Sequence, residues 1–233
     1  MTSHMSPAQT PSTALPPERF AESARYALLR RLAPSMRHHL VVNLQPIGMI
    51  YEVMDRRLKA PQPNLADIHA SAQKINGFAK AALNSCLDVV TWLAPDKDVS
   101  ISAEAGVAEC LSLVATSLTF RGYALRNEIG SVPGEVRRSA MRNVLTSVLM
   151  YATDQTSAPA DLVLSAESAG HGLSLTLTLR PTEGDPTFSG EPPYRRLDWA
   201  DAEALAAAES VTLAREGKQR VQISMPWASA AKV

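Results

Sequence analysis

Apolar residues recur at helical spacing from about Pro17 to Leu93 and change period after them. At ~100° per residue, Leu29, Leu32, Met36, Leu40, Asn43, Leu44, Ile47, Ile50, Tyr51, Met54 and Leu58 share one face of a helix predicted from about Pro17 to Leu58. Asn43 is the polar interruption. Pro17 suits a first turn, where its missing N–H would have had no helical partner. So long a stripe cannot be left in water, so the helix needs something to pack against. A partner follows directly. Lys59-Ala60-Pro61-Gln62-Pro63-Asn64 is a two-proline break that ends in an N-cap candidate. Beyond it, Leu65, Ile68, Ala72, Ile75, Ala79, Leu83, Cys86, Val90 and Leu93 mark a second amphipathic helix. Two antiparallel helices still leave apolar surface over. Pairing two such hairpins into a four-helix bundle is the economical way to cover it.

Past Trp92 to Lys97 the elements shorten. The pattern predicts strand Val99–Ser102, helix Glu104–Gly122, strand Ala124–Ile129 and helix Pro133–Tyr151, the last with Val136, Ala140, Val144, Leu145, Val148 and Leu149 inward. Strands follow at Leu162–Ala166 and Leu173–Leu179, the second with alternating Leu and Thr. A loop rich in proline and glycine spans Pro181–Pro193, ahead of an alanine-rich helix Asp198–Ala214 and a closing strand Arg220–Met225. The reading is an α+β chain: a tail over 1–16, a helical hairpin over 17–94, a sandwich of helices on one sheet over 98–228, and a tail over 229–233.

Composition narrows the function. Lys+Arg and Asp+Glu each number 23. With no net charge, the chain has no long-range field for nucleic acid or an anionic membrane. Met1–Pro16 lacks the apolar core of a signal peptide, and no run approaches the ~18 apolar residues of a membrane span. Cys86 and Cys110 lie in predicted helices without metal-ligand spacing and read as buried thiols in a reducing cytoplasm. His69 and His171 read as incidental, Arg56-Arg57 and Arg137-Arg138 as solvated charges, and Trp92, Trp199 and Trp227 as packing residues.

What remains is the doubled histidine. On the first helix His38 projects nearly opposite the apolar stripe, and His39 lies on its flank. The stretch His38-x4-Asn43-Leu44-Gln45 resembles the phosphoacceptor box of HisKA-type histidine kinases, above all those with a His-Arg-Val-Lys-Asn-Asn-Leu-Gln pattern. Leu40-Val41-Val42 replaces the basic middle of that box, and His39 stands where many kinases carry an acid. Three further segments resemble parts of the kinase ATPase-like domain. Glu109–Leu111 through Arg121–Leu125 looks like its first helix and strand, Met141–Ala152 like its asparagine-bearing helix, and Val221–Pro226 like its last strand.

An ATP site needs a carboxylate for adenine, an amide ligand for Mg²⁺ and glycines that admit phosphate. Ser147 and Tyr151 stand where the asparagines would be. Arg180-Pro181-Thr182-Glu183 replaces the Asp-x-Gly-x-Gly segment, and only Gly217 lies near the second glycine box. That pattern resembles the dimeric histidine phosphotransferases of bacterial phosphorelays, which keep the bundle and histidine but have lost nucleotide binding. The resemblance implies a cytoplasmic homodimer with a degenerate ATPase-like domain and no cofactor of its own. His38 would exchange phosphate with aspartates of response-regulator receiver domains, those carried by hybrid histidine kinases included. The Mg²⁺ would sit on the receiver. His39, Asn43 and Gln45 would support His38, while Leu44, Pro46, Ile47 and Ala79 would help form the docking surface. A neutral imidazole, with a reference pKa of ~6.5, is available as nucleophile at cytosolic pH. Two alternatives are a non-catalytic pseudokinase adaptor and an active kinase with a divergent nucleotide site.

Overall fold

One helix, α1 (Pro17–Leu58), runs the length of the N-terminal segment and continues through Pro34 and Pro46. Each proline lacks the N–H that would have bonded the carbonyl four residues earlier. The structure, a computed structural model, describes residues 16–96, 98–184 and 194–228. After the two-proline turn, Asn64 caps α2 (Leu65–Leu93) by accepting the Ala66 N–H at 3.0 Å. The two helices pack along one another as an antiparallel hairpin.

The buried face of α1 changes along its length. Ala24, Leu28, Leu32 and Met36 are buried, so the N-terminal stripe runs through Leu28 rather than the expected Leu29, which is half-buried. This half packs on the helices Trp199–Ala208, Ala103–Phe120 and Thr146–Gln155 of the domain that follows, whereas the C-terminal half packs on α2. On α2 the face toward α1 carries Ile68, Ser71, Ile75, Phe78, Ala82, Ser85, Val89 and Trp92. Most of the expected stripe, from Leu65 through Ala72, Ala79, Leu83, Cys86 and Val90 to Leu93, is exposed. Two apolar faces compete on this helix, and periodicity alone does not rank them. Cys86 is therefore exposed and Cys110 buried, where a buried position had been expected for both.

The remaining elements are β1 (Ser100–Ser102), α3 (Ala103–Phe120), β2 (Tyr123–Asn127), β3 (Glu135–Arg137), α4 (Arg138–Ala140), α5 (Thr146–Gln155), β4 (Ala160–Ala169), β5 (Gly172–Pro181), α6 (Trp199–Ala208), β6 (Thr212–Glu216) and β7 (Arg220–Pro226). A π-helical turn, Met141–Leu145, joins α4 to α5. The main sheet has the order β2-β4-β5-β7-β6, with β2 and β4 parallel and the other pairs antiparallel.

Leu173, Leu175, Leu177 and Leu179 of β5, with Val221, Ile223 and Met225 of β7, enter the core beneath the helices. Gln222 and Ser224 point to the other, polar face. Every residue of α5 from Thr146 to Asp154 is buried, as befits a helix with neighbours on all sides. α3 is the one described helix long and apolar enough to cross a membrane, which no run had been expected to be. In this fold it buries Val107, Cys110, Leu113, Val114 and Leu118 in the core.

Two strands depart from the expected pattern. Glu135–Arg137, placed at the start of a helix, instead pairs with β1. The alanine-rich helix ends at Ala208, Ser210 turns at φ 56°, and Thr212–Glu216 becomes an edge strand on β7. Both depend on partners distant in sequence, which local propensity does not register. The Pro181–Pro193 loop lies largely outside the described residues. At the start of α6, Asp198 and Asp201 form a reciprocal capping box. Burial alone would raise the Asp201 carboxyl, but Arg195 at 2.5 and 2.8 Å and the Asp198 N–H hold it below the usual carboxylate value. Such a depressed group stabilises the fold above its unfolded value of ~3.9, and the contribution is lost as pH falls through the folded value.

Two glycines should respond oppositely to a methyl group. A Cβ on Gly172 would collide with the backbone carbonyl of Met225, whereas one on Gly77 meets nothing within 4 Å. In urea unfolding, Gly172→Ala should cost about 1–3 kcal/mol, and Gly77→Ala, inside α2, should add about 0.5–1 kcal/mol.

Candidate functional site

His38 lies on the outward face of α1, exposed, while the neighbouring His39 is half-buried. Their ring centroids are 6.4 Å apart and the planes tilted by 50°. At ~100° per residue the face around His38 continues through Val42, Gln45, Met49 and Val53, all exposed. Val42 and Met49 keep 50% and 55% of their surface in solvent. Spacing alone had not singled out this apolar run for docking. Its signal is the interval of 4 or 7 residues that brings a position back to the His38 face.

The expected supporting residues divide. Asn43 donates to the His39 carbonyl at 3.0 Å and to Ser85 Oγ at 3.1 Å, so it ties α1 to α2 directly behind the histidine pair. His39 lines an opening of about 230 Å³ together with Met36, Asn84, Ser85, Asp88, Val89 and Leu113. Gln45 is exposed on the His38 side. Pro46 and Ile47 are half-buried, and Leu44 and Ala79 are exposed. Leu44 lies roughly 120° around the helix from His38, alongside exposed Val41, Tyr51 and Leu58.

Behind this face, the hairpin is fastened to the layered domain by two ion clusters, one fully buried around Asp154 and one around the buried Arg142 with partners that reach the surface. Asp154 of α5, with a side chain 0% exposed, receives both Arg31 guanidinium nitrogens at 2.6 and 2.8 Å. It also accepts the Leu197 N–H at 2.9 Å and lies 3.5 Å from Arg121. The π turn presents the second cluster. Arg142 bonds Asp88 at 2.6 Å and Thr91 at 2.7 Å on α2, bonds Glu109 on α3, and lies 4.7 Å over the Trp92 ring. Burial lowers the Arg142 pKa from its usual value, and Asp88 works against that shift. Arg138 joins through Glu109 at 2.8 and 3.0 Å, and Arg137 bonds the Glu209 carbonyl, so neither is the freely solvated charge expected. A π turn re-aims side chains within a helix. Here it sends Arg142 toward α2 and Asn143 toward Glu209, which Asn143 reaches at 2.7 Å.

Ser147 and Tyr151, expected from the resemblance to stand where kinase asparagines would be, are both packed. Ser147 is fully buried and donates to the Val144 carbonyl at 2.8 Å. The Tyr151 ring lies 5.4 Å from Trp199, and its hydroxyl accepts from Arg215 at 3.1 Å. Among the described residues, no group of three His, Cys, Asp or Glu side chains could hold a metal.

No protein-family model and no curated protein matches the chain. Among solved structures it is similar to a histidine kinase from Burkholderia phymatum, with 15% identity and a TM-score of 0.43, covering 91% of this chain and 98% of that one. The Acinetobacter baumannii histidine kinase AdeS gives 13% identity and a TM-score of 0.43, over 79% and 98%. A bacterial phosphotransferase gives 13% and 0.39, over 85% and 95%. The roles of individual side chains follow from their own geometry in this chain.

Removing one member of a buried ion cluster strands the other charge. Asp154→Ala, which leaves the buried Arg31 guanidinium unpaired, should cost about 3–5 kcal/mol in chemical denaturation, with little relief from added salt. Burial pushes the Cys110 thiol up to about 12, so native protein at pH 8 should leave Cys110 unmodified by a thiol reagent until it unfolds.

Proposed function

We propose that this protein is a homodimeric histidine phosphotransferase of two-component signalling, with His38 exchanging phosphoryl groups with aspartates of receiver domains. The observation that carries the reading is His38 itself, exposed on a rigid helix whose outward face continues as exposed Val42, Gln45 and Met49. The unprotonated imidazole nitrogen attacks phosphorus, the bond to the aspartyl oxygen breaks, and the carboxylate leaves with the electron pair. The imidazole's N–H proton passes to solvent. Such a transfer has a loose transition state and depends on positioning and charge neutralisation, which the receiver's Mg²⁺ and lysine supply. The histidine protein contributes access and orientation. Asn43, bonded to both His39 and Ser85, fixes the backbone beneath His38.

Two further observations support parts of the reading. Exposed Val41, Leu44, Tyr51 and Leu58 on α1, and Leu65, Leu83, Val90 and Leu93 on α2, open on one side of the hairpin by helical geometry. That is the face a second copy would cover in a four-helix bundle, and it leaves His38 outside. The packed environments of Ser147 and Tyr151 favour phosphate arriving from another protein over phosphate from ATP. Gln45, Pro46 and Ile47 complete the receiver-facing segment, with Leu44 and Ala79 shared between docking and dimerisation.

The test is incubation with phosphorylated receiver domains. Wild type should take up an acid-labile, base-stable label that His38→Ala abolishes and His39→Ala retains; label persisting in His38→Ala would reject the site. Binding of receiver without label would instead favour the adaptor, and labelling by ATP the kinase. Sedimentation should give a dimer, in which exposed Cys86 becomes protected from thiol reagents.

A further inference from the structure

Two turns before His38, α1 carries an arginine held between aromatic rings. The Arg30 guanidinium lies 4.8 Å over the Tyr194 ring and 5.8 Å from that of Tyr26. Tyr26 and Arg30 are exposed, and with Ser23 and Arg195 they line an opening of about 280 Å³. Arg195 is already committed to Asp201 at 2.5 and 2.8 Å, whereas Arg30 makes no ion pair among the described residues. We propose that Arg30, braced by Tyr26 and Tyr194, anchors an acidic side chain of the receiver domain that exchanges phosphate with His38. The assignment rests on the relay reading above and names the contact that selects the receiver.

Three arguments converge on it. The first is reach. Phosphotransfer fixes the receiver's aspartate over His38, and a standard interface of ~800 Å² per partner extends about 16 Å from its centre. Eight residues of helix place Arg30 about 12 Å along the axis and about 80° around it, within that footprint. The second is charge. A receiver holds Mg²⁺ with carboxylates around its phosphorylated aspartate, so the surface turned toward His38 is acidic by its own chemistry. Exposed Arg37, beside His38, extends the basic character from Arg30 to the reacting site. The third is preorganisation. A guanidinium held against tyrosine rings is restrained before its partner arrives, so less entropy is lost when it binds a carboxylate. Arginine and tyrosine are also the residues that most often dominate interface energetics.

The experiment uses receiver domains phosphorylated with acetyl phosphate, selecting one that labels full-length wild type. Arg30→Ala should raise KM for that receiver by about tenfold, the scale of a truncated interface anchor, with the saturating rate within about twofold. Tyr194→Ala and Tyr26→Leu keep the charge but remove the brace, and should raise KM by a smaller factor of about three. Arg30→Glu should lose more than Arg30→Ala, and one acidic-to-lysine change on the receiver should recover it. An unchanged KM in Arg30→Ala, or a fall confined to the saturating rate, would overturn the anchor while leaving His38 as acceptor. Failure of every receiver to label wild type would overturn the relay reading and the anchor together.

Discussion

A carboxylate with no access to water decides how the hairpin and the layered domain sit together. Asp154 is compensated only if Arg31 arrives from α1, Arg121 from the end of α3, and the Leu197 N–H from the segment before α6. In a low-dielectric interior each missing partner would leave an uncompensated charge. The cluster therefore specifies one arrangement of three elements at once. Arg142 repeats the logic on the other side, joining α2 to α3 through Asp88 and Glu109 with Trp92 beneath it.

These two clusters give α1 its double character. Its N-terminal half is a core element of the layered domain, and its C-terminal half is half of a hairpin. The buried rows differ accordingly. Ala24, Leu28, Leu32 and Met36 step by four and wind slowly around the helix as they follow the domain surface. Beyond Met36 the inward positions alternate steps of three and four to stay on α2. His38 falls just past this change, where the helix leaves one partner for the other. Its outward direction is thus set by packing on both sides rather than by any contact of its own.

The same packing accounts for the condition of the second domain. α5 is enclosed on every side, with Ser147 turned back on its own helix and Tyr151 closed off by Trp199 and Arg215. The layered domain serves as a rigid platform that holds the N-terminal half of α1 and carries Tyr194 next to Arg30. In the proposed relay the chemistry lies on the helix and the domain behind it supplies orientation.

The sequence by itself determined the elements whose signal is local. Helical periodicity over Pro17–Leu58 and Leu65–Leu93, the Leu/Thr alternation of β5 and the outward direction of His38 relative to His39 all follow from spacing, because side-chain direction repeats with the backbone. The tertiary structure decided whatever required a distant partner. β3 exists because β1 lies beside it, and β6 because β7 does. On α2, either of two apolar faces satisfied the pattern, and only contact with α1 buried the one through Ile75, Ala82 and Val89 while leaving Leu83 and Val90 open. Arg137 and Arg138 read as solvated charge until the fold brought Glu209 and Glu109 to them, since a charge pattern records valence but not proximity. The Arg30 platform was hidden for the same reason: Tyr26 is one turn away along the chain, but Tyr194 reaches the site only through the fold.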